Sequence, residues 1–253
     1  MKALKILLVF TFLFLTITET SSDSTWTDLG QLGDANMVLS LILYDGKLYA
    51  GTTDTEDVDG DYIIHGHVYR YDGATWTDVG ELEEDWGVLS LTVYNGNLYA
   101  GTRCSYFDAE CVASVYRYGG GSTWTKIGEL GDEWGVSSLA FYNGKLYAST
   151  FVKEWIPTGG SVYRYEGGTT WTDVGPLGDA QNVYSLTIYD NKLYAGTYSW
   201  NNGGHVYRYD GGTVWTDVGR LGNSWRVRSL AVYDGKLYGG AGISVYRYDG
   251  GTT

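Results

Sequence analysis

Five copies of one phrase recur along the chain. "WTDLG" begins at Trp26, "WTDVG" at Trp76, "WTKIG" at Trp124, and "WTDVG" again at Trp171 and Trp215, at spacings of 50, 48, 47 and 44 residues. A period in this range implies an array of one supersecondary unit, because a single unit cannot bury its own apolar face. After each tryptophan phrase come a link, a Ser-Leu-x-x-Tyr strand, an Asp/Asn-Gly turn, a "KLYAGT"-like strand, a variable loop, a "VYRY" strand and a glycine turn. "YDGKLY", "YNGNLY" and "YNGKLY" set the turn dipeptide between two apolar runs, the strongest short hairpin signal. In the fourth copy Asp190-Asn191 takes that place, asparagine being the next best residue at positive φ. No segment beyond the leader shows a sustained helical period.

Four strands in about 45 residues is the size of a β-propeller blade. The expected fold is all-β: a five-bladed β-propeller with four antiparallel strands per blade. Ser229–Tyr233, Lys236–Ala241 and Val245–Tyr248 supply only three strands of the last blade. The spare N-terminal Trp strand, Thr25–Gly30, is expected to cross the seam and complete it. Such closure removes a frayed sheet edge. The run from "LYAGT" through "VYRY" and a glycine turn to a tryptophan resembles kelch-type repeats. "DGGTVW", Asp210–Trp215, is similar to the Asp-box of sialidase-type propellers, although Arg208 stands where that motif has serine or threonine. A five-membered ring with "LY" strands resembles tachylectin-type lectins. These likenesses imply a propeller architecture over the whole chain after the leader, and propellers host many activities.

Residues 1–22 read as a secretory signal peptide: two lysines, a short apolar run, then small polar residues. Residues 23–253 form the expected single domain, secreted, extracellular or periplasmic, and monomeric. The net charge is −13. Such a chain repels phosphate backbones and anionic bilayers, so neither nucleic acid nor membrane insertion is expected. Cys104 and Cys111, the only cysteines, lie in one loop and are expected to form a disulfide, which export permits.

The internal copies act as an alignment. Ser40, Ser90, Ser138, Ser185 and Ser229 coincide with no histidine repeated beside them, so they read as packing and hydrogen bonding rather than nucleophiles. The "VYRY" arginines read as aromatic covers facing Asp28, Asp78, Asp173 and Asp217. Length varies in the loop between the second and third strands, which runs 15, 12, 11, 8 and 3 residues from first copy to last. That loop and the link after the Trp strand emerge on one face. The face gathers Trp86, Trp134, Trp155, Trp200 and Trp225, with Tyr184, Arg226 and Arg228 beside the open side of the taper. Flat apolar surface with directional polar partners suits a glycan or an extracellular protein. The competing reading is that these tryptophans pin their own loops. Asp57, Asp59 and Asp61 alternate in the first variable loop as candidate calcium ligands, beside the reading of a solvated acidic loop. No cofactor is otherwise required. Two alternatives stand: a glycoside hydrolase or sialidase-like enzyme, and a structural or adhesive repeat protein. Hydrolysis needs two carboxylates flanking a cleft, and the Ser-Leu strands contain none; Glu83, Glu84, Asp85, Asp132 and Glu133 on the links keep that option open.

Overall fold

The computed structural model describes residues 26–58, 61–82, 86–104, 111–131, 133–152 and 159–252. Unit one contains β1 (Ala35–Tyr44), β2 (Lys47–Val58), β3 (Asp61–Tyr71) and β4 (Trp76–Leu82). Unit two contains β5 (Gly87–Tyr94), β6 (Asn97–Arg103), β7 (Ser114–Gly120) and β8 (Thr123–Glu129). Unit three contains β9 (Gly135–Tyr142), β10 (Lys145–Phe151), β11 (Ser161–Gly167) and β12 (Thr170–Pro176). Unit four contains β13 (Asn182–Tyr189), β14 (Lys192–Tyr198), β15 (His205–Gly211) and β16 (Val214–Arg220). Unit five has β17 (Val227–Tyr233), β18 (Lys236–Ala241) and β19 (Ser244–Arg247). Every pairing is antiparallel; most join neighbours in sequence, while β6 also meets β9 at Arg103↔Gly135 and β10 meets β13 at Phe151↔Asn182, and no helix occurs among the described residues. The turns form as the dipeptides dictate: Asp45-Gly46, Asn95-Gly96, Asn143-Gly144, Asp190-Asn191 and Asp234-Gly235 all have positive φ at both positions, the geometry that matches strand twist in a two-residue hairpin.

Units stack through their first strands, β1 on β5, β5 on β9, β9 on β13 and β13 on β17. The valine at the start of each such strand drives the stacking: Val88, Val136, Val183 and Val227 are fully buried. Each such burial is worth roughly 1.5–3 kcal/mol. The small residue ending the second strand explains the close fit. A Cβ on Gly51 would stand 2.7 Å from Val88 Cγ1, on Gly101 2.5 Å from Val136 Cγ1, and on Gly196 2.8 Å from Val227 Cγ1. The repeated serines bond across the same junctions. Ser40 Oγ donates to the Val88 carbonyl and Ser90 Oγ to that of Val136, both at 3.1 Å. Ser138 Oγ accepts from the Leu186 amide at 3.2 Å. The tryptophans form a second ladder. The indole N–H of Trp124 donates to Val79, that of Trp171 to Ile127 and that of Trp215 to Val174, each at 2.9–3.0 Å to a carbonyl of the preceding unit.

Two expectations are corrected. Three of the five "VYRY" arginines turn to the acid two residues on: Arg164 to Glu166, Arg208 to Asp210, Arg247 to Asp249. The Trp-strand aspartates instead hold their own strand with one oxygen and meet His67, Ser161 and His205 of the adjacent strand with the other. Asp78, Asp173 and Asp217 each accept from the amide of the glycine two residues later, at 2.8–2.9 Å. The first variable loop is also a hairpin. β2 and β3 stay paired to Val58↔Asp61.

Among the described residues no closed sheet occurs. Residues 26–34 lie outside any strand, and Trp26 is 99% exposed. β19 pairs only with β18, and β17 does not pack on β1 as the interior pairs do.

Candidate ligand-binding cleft

β14 ends at Tyr198, and an isolated bridge ties Tyr198 to Arg226 at the start of the next unit. The link carrying Trp225 is held to the variable loop by the Ser199 amide, which donates to the Trp225 carbonyl at 3.3 Å. Ser224 caps the turn, its Oγ donating to the Arg226 carbonyl at 2.9 Å. These constraints set an aromatic row. Trp200 meets Tyr198 edge-on with centroids 5.3 Å apart, and Tyr198 lies 6.3 Å from Tyr184. The Arg226 guanidinium sits 5.1 Å over the Tyr198 ring and that of Arg228 5.5 Å over Tyr184. Stacking of this kind fixes a guanidinium plane while its N–H groups stay outward. Neither arginine has a carboxylate partner among the described residues.

Beside this row opens a cleft of about 550 Å³. Tyr198, Trp200, Trp225, Arg226 and Arg228 form one side, and residues 240–245 the other. Trp200 and Trp225 remain 51% and 53% exposed. Large indoles at the edge of a concave surface offer flat apolar area. The lining holds two arginines and no aspartate or glutamate.

The structure thus gathers Trp200, Trp225, Arg226 and Arg228, with Tyr184 behind Arg228 rather than in the lining. It separates the other candidates. Trp134 is buried against Phe151, with centroids 6.1 Å apart, so here the pinning role is the observed one. Trp86 is half-buried under the Arg103 guanidinium, 6.0 Å from its ring. Trp155 lies outside the described residues. Tyr198 was not anticipated. Its signal was available: the position after "KLYAGT" reads Thr53, Arg103, Phe151, Tyr198 and Gly242 across the copies, and the bridge makes it a hinge between units.

Asp59 lies outside the described residues, while positions 57 and 61 fall in β2 and β3. Register sets 57 opposite Tyr62 and 61 opposite Val58. Among the described residues no group of three metal-ligating side chains occurs. Cys104 and Cys111 sit at disulfide distance, their Cα atoms 5.5 Å apart. No helix among the described residues is long and apolar enough to cross a membrane. Comparison with protein-family models and with curated proteins gives no match for this chain.

Proposed function

We propose that the chain is a secreted, propeller-like binding module of five blade units that takes a saccharide in the cleft between units four and five. One observation carries the reading: two half-exposed tryptophans flank a concave surface bearing two arginines that no carboxylate among the described residues neutralises. Sugar rings offer apolar C–H faces to indoles and hydroxyl edges to donors. Two cationic groups in a chain of net charge −13 favour a ligand with a carboxylate or sulfate, which guanidinium binds in bidentate fashion. The disulfide-distance pair is compatible with secretion. Hydrolysis is not proposed for this cleft, since its lining lacks the two acids that reaction uses. The proposal invokes no cofactor.

The test is a screen of the protein against neutral and acidic oligosaccharides, then calorimetric titration of the best acidic binder. Trp225→Ala should weaken that binding by about 1–3 kcal/mol if the indole is an anchor. Its melting temperature should stay near the parent's, because Asn36 and Gln181 occupy the same position in units one and four. Unchanged affinity with a large fall in melting temperature would make Trp225 loop packing and remove the reading.

A further inference from the structure

Arg226 and Arg228 are two residues apart, so their Cα atoms stand at most about 7 Å from each other. Each guanidinium rests on a different ring of unit four. Arg226 lies over Tyr198 and Arg228 over Tyr184, at 5.1 and 5.5 Å. Both platforms are held in place. The Asn182 side chain donates to the Tyr184 hydroxyl at 3.1 Å and accepts from the Val152 amide at 3.1 Å. The Tyr198 carbonyl accepts from the Gln181 amide at 2.9 Å, and the Arg226 amide donates to Ser224 Oγ at 3.2 Å. The two rings are 6.3 Å apart and inclined at 42°. Among the described residues neither guanidinium has a hydrogen-bond or ion-pair partner.

We infer that this pair selects a tetrahedral oxoanion ester, a sulfate or phosphate monoester on the saccharide, over a carboxylate. The ligand's body here rests on the saccharide reading, its anionic group on the arginine pair alone. A guanidinium stacked on an aromatic ring follows the plane of that ring. The forks of Arg226 and Arg228 are therefore tilted against each other, as their rings are. A carboxylate has two oxygens whose acceptor directions lie in a single plane. It satisfies one fork in bidentate fashion and leaves the other turned away from its lone pairs. A sulfate or phosphate monoester keeps three free oxygens, and the edges between them lie in different planes. One edge can meet each fork. The selectivity comes from tilt, so charge alone does not reproduce it. A lysine at either position keeps the attraction but has no fork.

Small anions without a sugar test the pair directly. The arginine Nε–Hε signals are followed by NMR during titration with sodium methyl sulfate, sodium methyl phosphate and sodium acetate, at pH 7 and constant ionic strength. Methyl sulfate and acetate carry the same single charge. The tighter ester should move Arg226 and Arg228 together, with one Kd about fivefold or more below that of acetate. Which ester is tighter decides between sulfate and phosphate as the group on the ligand. Arg226→Lys read on Arg228, and Arg228→Lys read on Arg226, should bring the ratio to about twofold or less. A smaller preference in the parent, esters that move only one arginine or neither, or lysine variants that keep the parent's ratio would each overturn the selectivity. The saccharide reading fails separately. An ester preference with no oligosaccharide bound in the screen removes the sugar and leaves an oxoanion site. Acidic oligosaccharides bound through Trp225 without an ester preference do the reverse.

Discussion

At the scale of residues, the junction between units rests on an absence of side chain. The small residue ending each "LYAGT" strand was legible as a point of close approach. Its partner valine was not, because the two lie in different repeats and nothing in the spacing joins them. Gly101 and Gly240 separate this packing role from any local preference for glycine, since both sit in the same strand position with ordinary φ. Gly101→Ala drives a methyl to 2.5 Å from Val136 Cγ1, an overpacking that should cost about 1–3 kcal/mol. In Gly240→Ala the methyl meets only the Ser229 hydroxyl end, and the change should stay within about 0.5 kcal/mol. Urea denaturation of dilute protein measures both. Equal losses would mean that the valine contact is not what excludes a side chain. The arginines show the opposite failure of sequence reading. Repetition in every copy made them visible, but alternation decides their partners. For Arg164, Arg208 and Arg247 the acid two residues on lies on the same strand face and takes the guanidinium.

At the scale of elements, the hairpin turns were the most legible part of the chain, because the dipeptide chemistry is local. The fourth turn is the informative exception. Asp190 and Asn191 have φ of 46° and 53°, and neither is glycine. The other four turns have glycine second, at φ of 64–77°. Asn191→Gly should therefore relieve strain and raise stability, by a few tenths to about 1 kcal/mol, visible as a higher melting temperature. A lower one would mean that the gain in unfolded-chain entropy outweighs the turn strain. The first variable loop holds a ladder that its sequence does not announce: residues 53–57 are polar throughout, yet β2 and β3 stay paired to Val58↔Asp61. The tryptophans of the variable face were legible as a group but not one by one. Trp134 is buried against Phe151 of its own unit, whereas Trp225 stands 53% exposed, and the repeat pattern does not separate the two.

At the scale of the whole molecule, the repeats made the class and the strand order readable, while closure was not. Ring size depends on a small rotation between successive units, and that angle comes from junction packing, not from repeat length. The same packing governs behaviour in alkali. Burial, with Tyr209 adding to it, pushes the Tyr147 hydroxyl up to about 12, and burial with Asp217 and Asp179 does the same for Tyr207. An unfolded tyrosine ionises near pH 10. Between about pH 10 and 12 the unfolded chain therefore holds fewer protons than the folded one, and stability falls as pH rises. Thermal melts should show a steep loss across that window and little dependence on these groups below it. A flat profile to pH 12 would contradict the buried state of both rings. A last consequence follows from the indole ladder. Each rung couples only adjacent units, so units two and three are braced from two sides, units one and four from one, and unit five by no rung among the described residues. Cooperative strength must then decline toward that end. The aromatic cleft straddles the last joint, and anything bound there acts as a clamp on the least-braced part of the molecule.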